Sequence, residues 1–348
     1  MSNYDIFPQV GAILLWNGLR AKCTIEGGQS WVLKGSGTLI DKDLVLTVAH
    51  FAPHHPVAVY FPSEGIVKVK NWEFEKKRLG DYLMLLRLER EIGSFAPIPH
   101  EKVTKYRGLG EQDPARHAFV WGYGAWKDLP PTQLNGLVGL QRGLKVGLLP
   151  DRLNVGDDYD TLDLIWSSRN NGGVSQDRLN SGGPMLWEGS DHGYSLIGVY
   201  REKRVDHQIG SWIGKDRDEW LKGKIDRPPV RIKPSRGGLF RQEFGKVTLF
   251  RFPVPESLPL RATLNASPGF ALQMKIFAGE PPHEDLEQLR SDPKDAGSFL
   301  TRELDSLPEG TEEIVVAVGR YVQTDDPSEP VYAQLCMNQN VELIQTAD

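Results

Sequence analysis

At 348 residues the chain is longer than a usual single domain, so two separate cores are expected. Hydrophobic residues make up 39% and charged residues 25%, which argues against extensive disorder, and a formal charge of -5 leaves no basic field to hold nucleic acid or an anionic membrane. Two cysteines, Cys23 and Cys336, are too few for a disulfide framework and point to free thiols in a reducing, cytoplasmic compartment.

The stretch Met1 to Val10 carries Asp5, Pro8 and Gln9 and lacks the basic-then-apolar pattern of a secretory signal. The apolar run Ile13 to Trp16 is far shorter than the roughly 18 residues that span a bilayer. Short apolar runs bounded by Gly, Pro, Asn and Asp then follow one another: Val10 to Leu15, Gly37 to Ile40, Leu44 to Val48, Val57 to Phe61, Tyr82 to Leu86, Ala118 to Trp121, Leu144 to Leu148 and Ser195 to Tyr200. That spacing predicts an all-β barrel or sandwich, closed by one helix over Asp216 to Ile225. Residues 227–238 hold three prolines and end on Gly237-Gly238, which predicts a linker. Strand-like runs return at Lys246 to Phe252, Leu260 to Ala266, Ala271 to Phe277, Glu313 to Val318 and Val331 to Met337, with a short helix at His283 to Arg290. The expected organisation is a β-barrel unit over 1–226, the linker, and a small antiparallel β-sandwich over 239–348.

Three segments carry chemistry. In Gly35-Ser-Gly-Thr-Leu-Ile-Asp-Lys-Asp-Leu-Val-Leu-Thr-Val-Ala-His50, two strands around a turn deliver a histidine directly after an apolar strand. In Gly80-Asp-Tyr-Leu-Met-Leu-Leu-Arg-Leu88 an acid opens a strand. In Leu179-Asn-Ser-Gly-Gly-Pro-Met185 a glycine turn surrounds a serine. A serine hydroxyl is a weak nucleophile at neutral pH and needs an imidazole to take its proton; a carboxylate orients the ring and stabilises the imidazolium. Each segment alone reads equally well as a turn, a cap or a surface histidine. Together, each at a strand end, they point to His50, Asp81 and Ser181 as one catalytic set.

Thr47-Val-Ala-His50, Asp81-Tyr-Leu-Met-Leu-Leu86 and Asn180-Ser-Gly-Gly-Pro184, in that chain order, resemble the three signatures of the trypsin/chymotrypsin-like serine proteases. Gly35 to Ile40, Val120-Trp-Gly-Tyr-Gly124, Leu196-Ile-Gly-Val199 and the helix at 216–225 extend the resemblance over about residues 7–225. It implies two six-stranded antiparallel β-barrels with an active site between them and hydrolysis of peptide bonds through an acyl-enzyme, with no cofactor or metal. It places the oxyanion hole at the backbone N–H groups of Leu179 and Ser181. By position it puts Ser175, Gln176 and Arg178 around the primary pocket, Gly198, Tyr200 and Arg201 along the substrate cleft, and Gly210 where the pocket is kept open. A neutral pocket base at Ser175 favours an uncharged side chain, though Asp206 could swing in.

The pattern departs from the family in three places. Asn180, where secreted members have an Asp that captures a new N-terminus, cannot form that ion pair and resembles the bacterial high-temperature-requirement proteases. Leu179 stands where the family has glycine; if φ must be positive there, a leucine is strained by about 1–3 kcal/mol. The expectation is a resting peptide flipped at Leu179 and turned over by substrate or a partner. Arg201-Glu-Lys203 replaces the usual Ser-Trp-Gly.

His54 and His55 lack companions at metal-ligand spacing, Gly156-Asp-Asp-Tyr-Asp160 lacks a full calcium set, and Gly122-Tyr-Gly124 has no phosphate-loop continuation, so loops are the better reading of all three. Two functional readings follow. One is a serine endopeptidase acting on protein or peptide, with the β-sandwich available to dock a regulator. The other is a pseudoprotease that keeps the double barrel as a binding scaffold.

Overall fold

The computed structural model describes residues 2–16, 22–25, 29–54, 56–75, 83–100, 117–123, 140–147, 163–166, 181–189, 191–203, 208–225, 232–233, 235–266, 270–291, 295–321, 331–339 and 345–347. The chain begins with β1 (Ser2–Ile6), β2 (Val10–Trp16), β3 (Lys22–Ile25), β4 (Gln29–Asp41) and β5 (Leu44–Val48). A 3₁₀ turn (Ala49–His54) leads to β6 (Pro56–Phe61), β7 (Gly65–Phe74) and β8 (Leu83–Leu88). Next come β9 (His117–Gly122), β10 (Arg142–Gly147), β11 (Asp163–Trp166), β12 (Pro184–Glu188), β13 (Tyr194–Lys203), β14 (Gln208–Trp212) and helix α1 (Lys215–Lys222). The rest comprises β15 (Ser235–Gln242), β16 (Val247–Pro253), β17 (Leu260–Ala266), β18 (Ala271–Ala278), helix α2 (His283–Ser291), β19 (Phe299–Leu304), β20 (Glu313–Tyr321), β21 (Val331–Met337) and β22 (Gln345–Ala347).

All-β architecture is therefore present, with four sheets among the described residues. In the first, β2-β6-β7-β8-β5-β4 closes on itself through a β2–β4 pairing, giving a six-stranded barrel from which β3 extends. Its turns follow local chemistry. Between β4 and β5 the Lys42 N–H donates to Asp41 Oδ1 at 2.8 Å, and Arg87 holds Asp43 at 2.7 Å, so the Asp-Lys-Asp corner is pinned on both sides. Between β6 and β7, Pro62 supplies the fixed φ of a type II turn and Ser63 takes φ 67°, with the Glu64 N–H returning to the Phe61 carbonyl. Every residue of β5 is buried, as in a strand covered on both faces.

The second sheet runs β10-β9-β12-β13-β14-β11, open at β10 and β11 among the described residues. Its Trp121, Leu186, Leu196 and Val199 share one apolar core with the first barrel. Helix α1 ends three residues before the expected Ile225 and is bolted to the first barrel by the buried pair Arg217–Glu75, at 2.8 Å.

The third sheet runs β1-β15-β21-β17-β19 and the fourth β18-β20-β16-β22; Phe240, Leu264 and Leu335 of one meet Phe250, Leu272 and Val316 of the other in a single core. Two details refine the expected organisation. The proline-rich stretch enters β15 at Ser235, three residues before its Gly238 end, because this segment pairs with β1 and β21. The first strand, which lies within the barrel unit expected over 1–226, pairs with β15 and so joins the third sheet rather than the barrel. The third sheet also packs on the barrel: Phe299 belongs to the barrel's core, Ser63 N–H donates to Thr263 Oγ1 at 2.9 Å, and buried Glu64 accepts from Ser94 at 2.7 Å while pairing with Arg90 and with Arg261 at 2.8 Å.

Candidate active site

Strand β5 runs straight into the 3₁₀ turn, so His50 leaves the barrel wall at its rim. Phe51 is buried and anchors the turn, while His50 itself is exposed with its ring edge-on to Phe51, centroids 4.7 Å apart. Opposite stands the glycine turn. Ser181 is 6% exposed, and its carbonyl accepts the Ser36 N–H at 2.8 Å. Gly182 donates its N–H to the Tyr200 carbonyl and Gly183 accepts from the Tyr200 N–H, both at 2.8 Å.

Close approach explains the glycines. A Cβ on Gly182 would lie 2.1 Å from the Ser36 carbonyl and 2.2 Å from Thr47 Oγ1, and its φ of 87° is itself hostile to a side chain. A Cβ on Gly35 would lie 2.4 Å from both the Ser181 carbonyl and the Phe51 ring. Thr47 Oγ1 donates to the Ser36 carbonyl at 2.8 Å, tying β5 to β4 under the serine turn. The serine turn and the Phe51 ring of the histidine turn therefore meet at Gly35 and Ser36. Nothing in the residue types of Ser36 and Thr47 marks their hold on the serine turn; the flanking glycines of Gly35-Ser-Gly37 are the signal of a close approach.

The Ser181 hydroxyl donates to the backbone carbonyl of Arg201 at 2.8 Å. This acceptor exists because β13 is irregular here: Tyr200 pairs with Gly210 and Glu202 with Ile209, which leaves Arg201 as the extra residue of a β-bulge. Of the other expected cleft residues, Gly198 lies inside the sheet between Met185 and Trp212. Tyr200 is buried and its backbone groups hold the serine turn, Arg201 is half-buried, and Gly210 is buried, paired in the sheet with Tyr200 and Leu164. Asp81, Leu179, Ser175, Gln176 and Arg178 lie outside the described residues, as do Asp206, His55 and Gly156 to Asp160. No group of three or more His, Cys, Asp or Glu side chains is placed to hold a metal among the described residues.

No family model matches the chain, and no curated protein matches it. Among solved structures it is similar to neuropsin, a serine protease expressed in the limbic system of mouse brain, at 17% identity over 64% of this chain and 99% of that one, with a TM-score of 0.44. A likeness of that extent assigns neither fold nor activity by itself.

Proposed function

We propose that the protein is a serine endopeptidase in which Ser181 is the nucleophile, His50 its general base and Asp81 the carboxylate behind the imidazole. The observation that supports this reading most is the seating of the Ser181 turn on Ser36, Thr47 and the Phe51 ring, one residue from His50. In this account His50 takes the hydroxyl proton as Ser181 Oγ attacks the scissile carbonyl. The resulting oxyanion sits on the N–H groups of Ser181 and Leu179, and the imidazolium returns its proton to the leaving amine. Water then attacks the acyl-enzyme by the same route in reverse. The second sheet completes a double barrel, the third and fourth form a β-sandwich, and substrate lies along Arg201 with Ser175, Gln176 and Arg178 around its side chain.

Cleavage of a fluorescently labelled unfolded protein, with Ser181→Ala, His50→Ala and Asp81→Asn alongside, tests the assignment. Turnover by the parent chain that all three substitutions abolish is the expected result; turnover indifferent to Ser181→Ala refutes it. The Ser181–Arg201 hydrogen bond favours a second reading, a binding scaffold whose serine is structural. In that case the parent chain shows no turnover at all.

A further inference from the structure

Two buried glutamines act in series between the third sheet and the serine turn. Gln334, on β21, accepts the backbone N–H of Gln141 at 2.8 Å and donates to its carbonyl at 2.8 Å, so one side-chain amide clasps both polar groups of residue 141. Gln141, just ahead of β10, repeats the device on Phe7: its Oε1 accepts the Phe7 N–H at 2.6 Å and its Nε2 donates to the Phe7 carbonyl at 2.8 Å. The same Nε2 lies 3.0 Å from the Val10 carbonyl and 3.3 Å from the Tyr123 hydroxyl, which itself donates to Val10 at 3.2 Å. Because each amide faces one N–H and one C=O of a single residue, its orientation is dictated by the backbone.

From there the path to the serine is short. Tyr123 follows β9, and its N–H donates to Ser36 Oγ at 2.9 Å; the Ser36 N–H then holds the Ser181 carbonyl at 2.8 Å. Strand β9 also pairs with β12, Val120 against Met185 and Phe119 against Leu186, so the segment 117–123 holds both Ser36, on which the serine turn rests, and the strand that follows the turn. Gln141, Tyr123 and Ser36 are fully buried and Gln334 is nearly so. In such surroundings a hydrogen bond left half-made strands a polar group away from water, which makes the arrangement rigid and unforgiving.

We infer that Gln334 and Gln141 are positioning residues for Ser181, which makes the third sheet part of the nucleophile's scaffold rather than a detachable docking module. The inference rests on the reading of Ser181 as nucleophile. A misplacement of about 1 Å at a reacting group is enough to cost on the order of a hundredfold in rate.

The test compares Gln334→Met, which keeps the volume and deletes both bonds, with Leu264→Ala, which weakens the same sheet's core without touching the network. Two readouts are taken below the unfolding range of both variants: labelling of Ser181 by a fluorophosphonate with kcat and KM on labelled casein, and amide exchange at Ser36 and Tyr123. Gln334→Met is expected to lower the labelling rate and kcat by about 10- to 100-fold at unchanged KM and to speed exchange at both amides, while Leu264→Ala lowers thermal stability and leaves all of these near parent values. Parent-like labelling, kcat and exchange in Gln334→Met, or equal losses in Leu264→Ala, overturn the inference while leaving the peptidase reading intact. A parent chain that never labels at Ser181 defeats that reading and this inference with it. If Gln334→Met does not fold, Gln334→Asn, with its amide one methylene short, is judged by the same measurements and limits.

Discussion

The Ser181 hydroxyl donates a hydrogen bond to the Arg201 carbonyl, 2.8 Å away at the bulge in β13. A neutral hydrogen bond of this kind is worth about 1 kcal/mol net, so it slows release of the hydroxyl only several-fold and does not forbid it. If His50 takes the proton during attack, His50→Ala lowers the rate of fluorophosphonate labelling by about a thousandfold or more. A serine that reacts directly from its Arg201-bound state is insensitive to His50. Pseudo-first-order labelling rates of the two proteins separate these outcomes.

Gly182 has no room for a side chain. With φ at 87° and a built Cβ 2.1 Å from the Ser36 carbonyl, Gly182→Ala must push the serine turn off β4. Labelling of Ser181 should be lost and the unfolding midpoint should fall, by about 2 kcal/mol or more of stability. An alanine variant that labels at the parent rate contradicts the docking described for this turn.

Glu64 tests how firmly the third sheet grips the barrel. Its carboxylate is buried and meets Arg90, Ser94 and Arg261, and Arg261 has a second partner in Glu303 at 2.6 Å. Glu64→Gln keeps the shape but takes the negative charge from Arg90 and one of two carboxylate partners from Arg261; because Arg90 is half-exposed and Arg261 keeps Glu303, a loss of about 2 kcal/mol in urea unfolding is expected rather than the 3–5 of a fully buried pair. A double-mutant cycle with Arg261→Met should give a coupling of about 1–2 kcal/mol, and a coupling near zero contradicts the pairing.

Much of this fold is legible in the residues, and the exceptions have a common cause. Leu44 to Val48, Leu260 to Ala266 and Val331 to Met337 announce themselves as apolar runs and are strands with those bounds. Ser2 to Ile6 and Phe299 to Leu304 do not, since their strand character comes from pairing with β15 and β17 rather than from composition. At the candidate site, His50 and Ser181 stand out by their neighbours in sequence. The bulge at Arg201 and the clasp between Gln141 and Gln334, 193 residues apart, exist only once the chain is folded.

Burial sets an alkaline limit. Tyr60 and Tyr123 are held well above the usual tyrosine value, first by burial and then by the neighbouring Cys336 thiol and Tyr60 phenol respectively, and burial pushes the Cys336 thiol to about 12. The folded chain keeps these three protons while the unfolded chain releases them above about pH 8.5 for the thiol and 10 for the phenols. The unfolded state then binds fewer protons, so stability falls as pH rises, by up to about 1.4 kcal/mol per pH unit for each group in play. Urea midpoints should drop progressively between pH 8 and 11, and a flat profile over that range contradicts the buried, protonated assignment.

The nucleophilic role of Ser181 is tested most directly by intact-mass spectrometry after fluorophosphonate treatment, followed by peptide mapping. One adduct per chain, carried by the Ser181 peptide and absent from Ser181→Ala, is the predicted result. An unmodified chain, or an adduct that persists in Ser181→Ala, contradicts it.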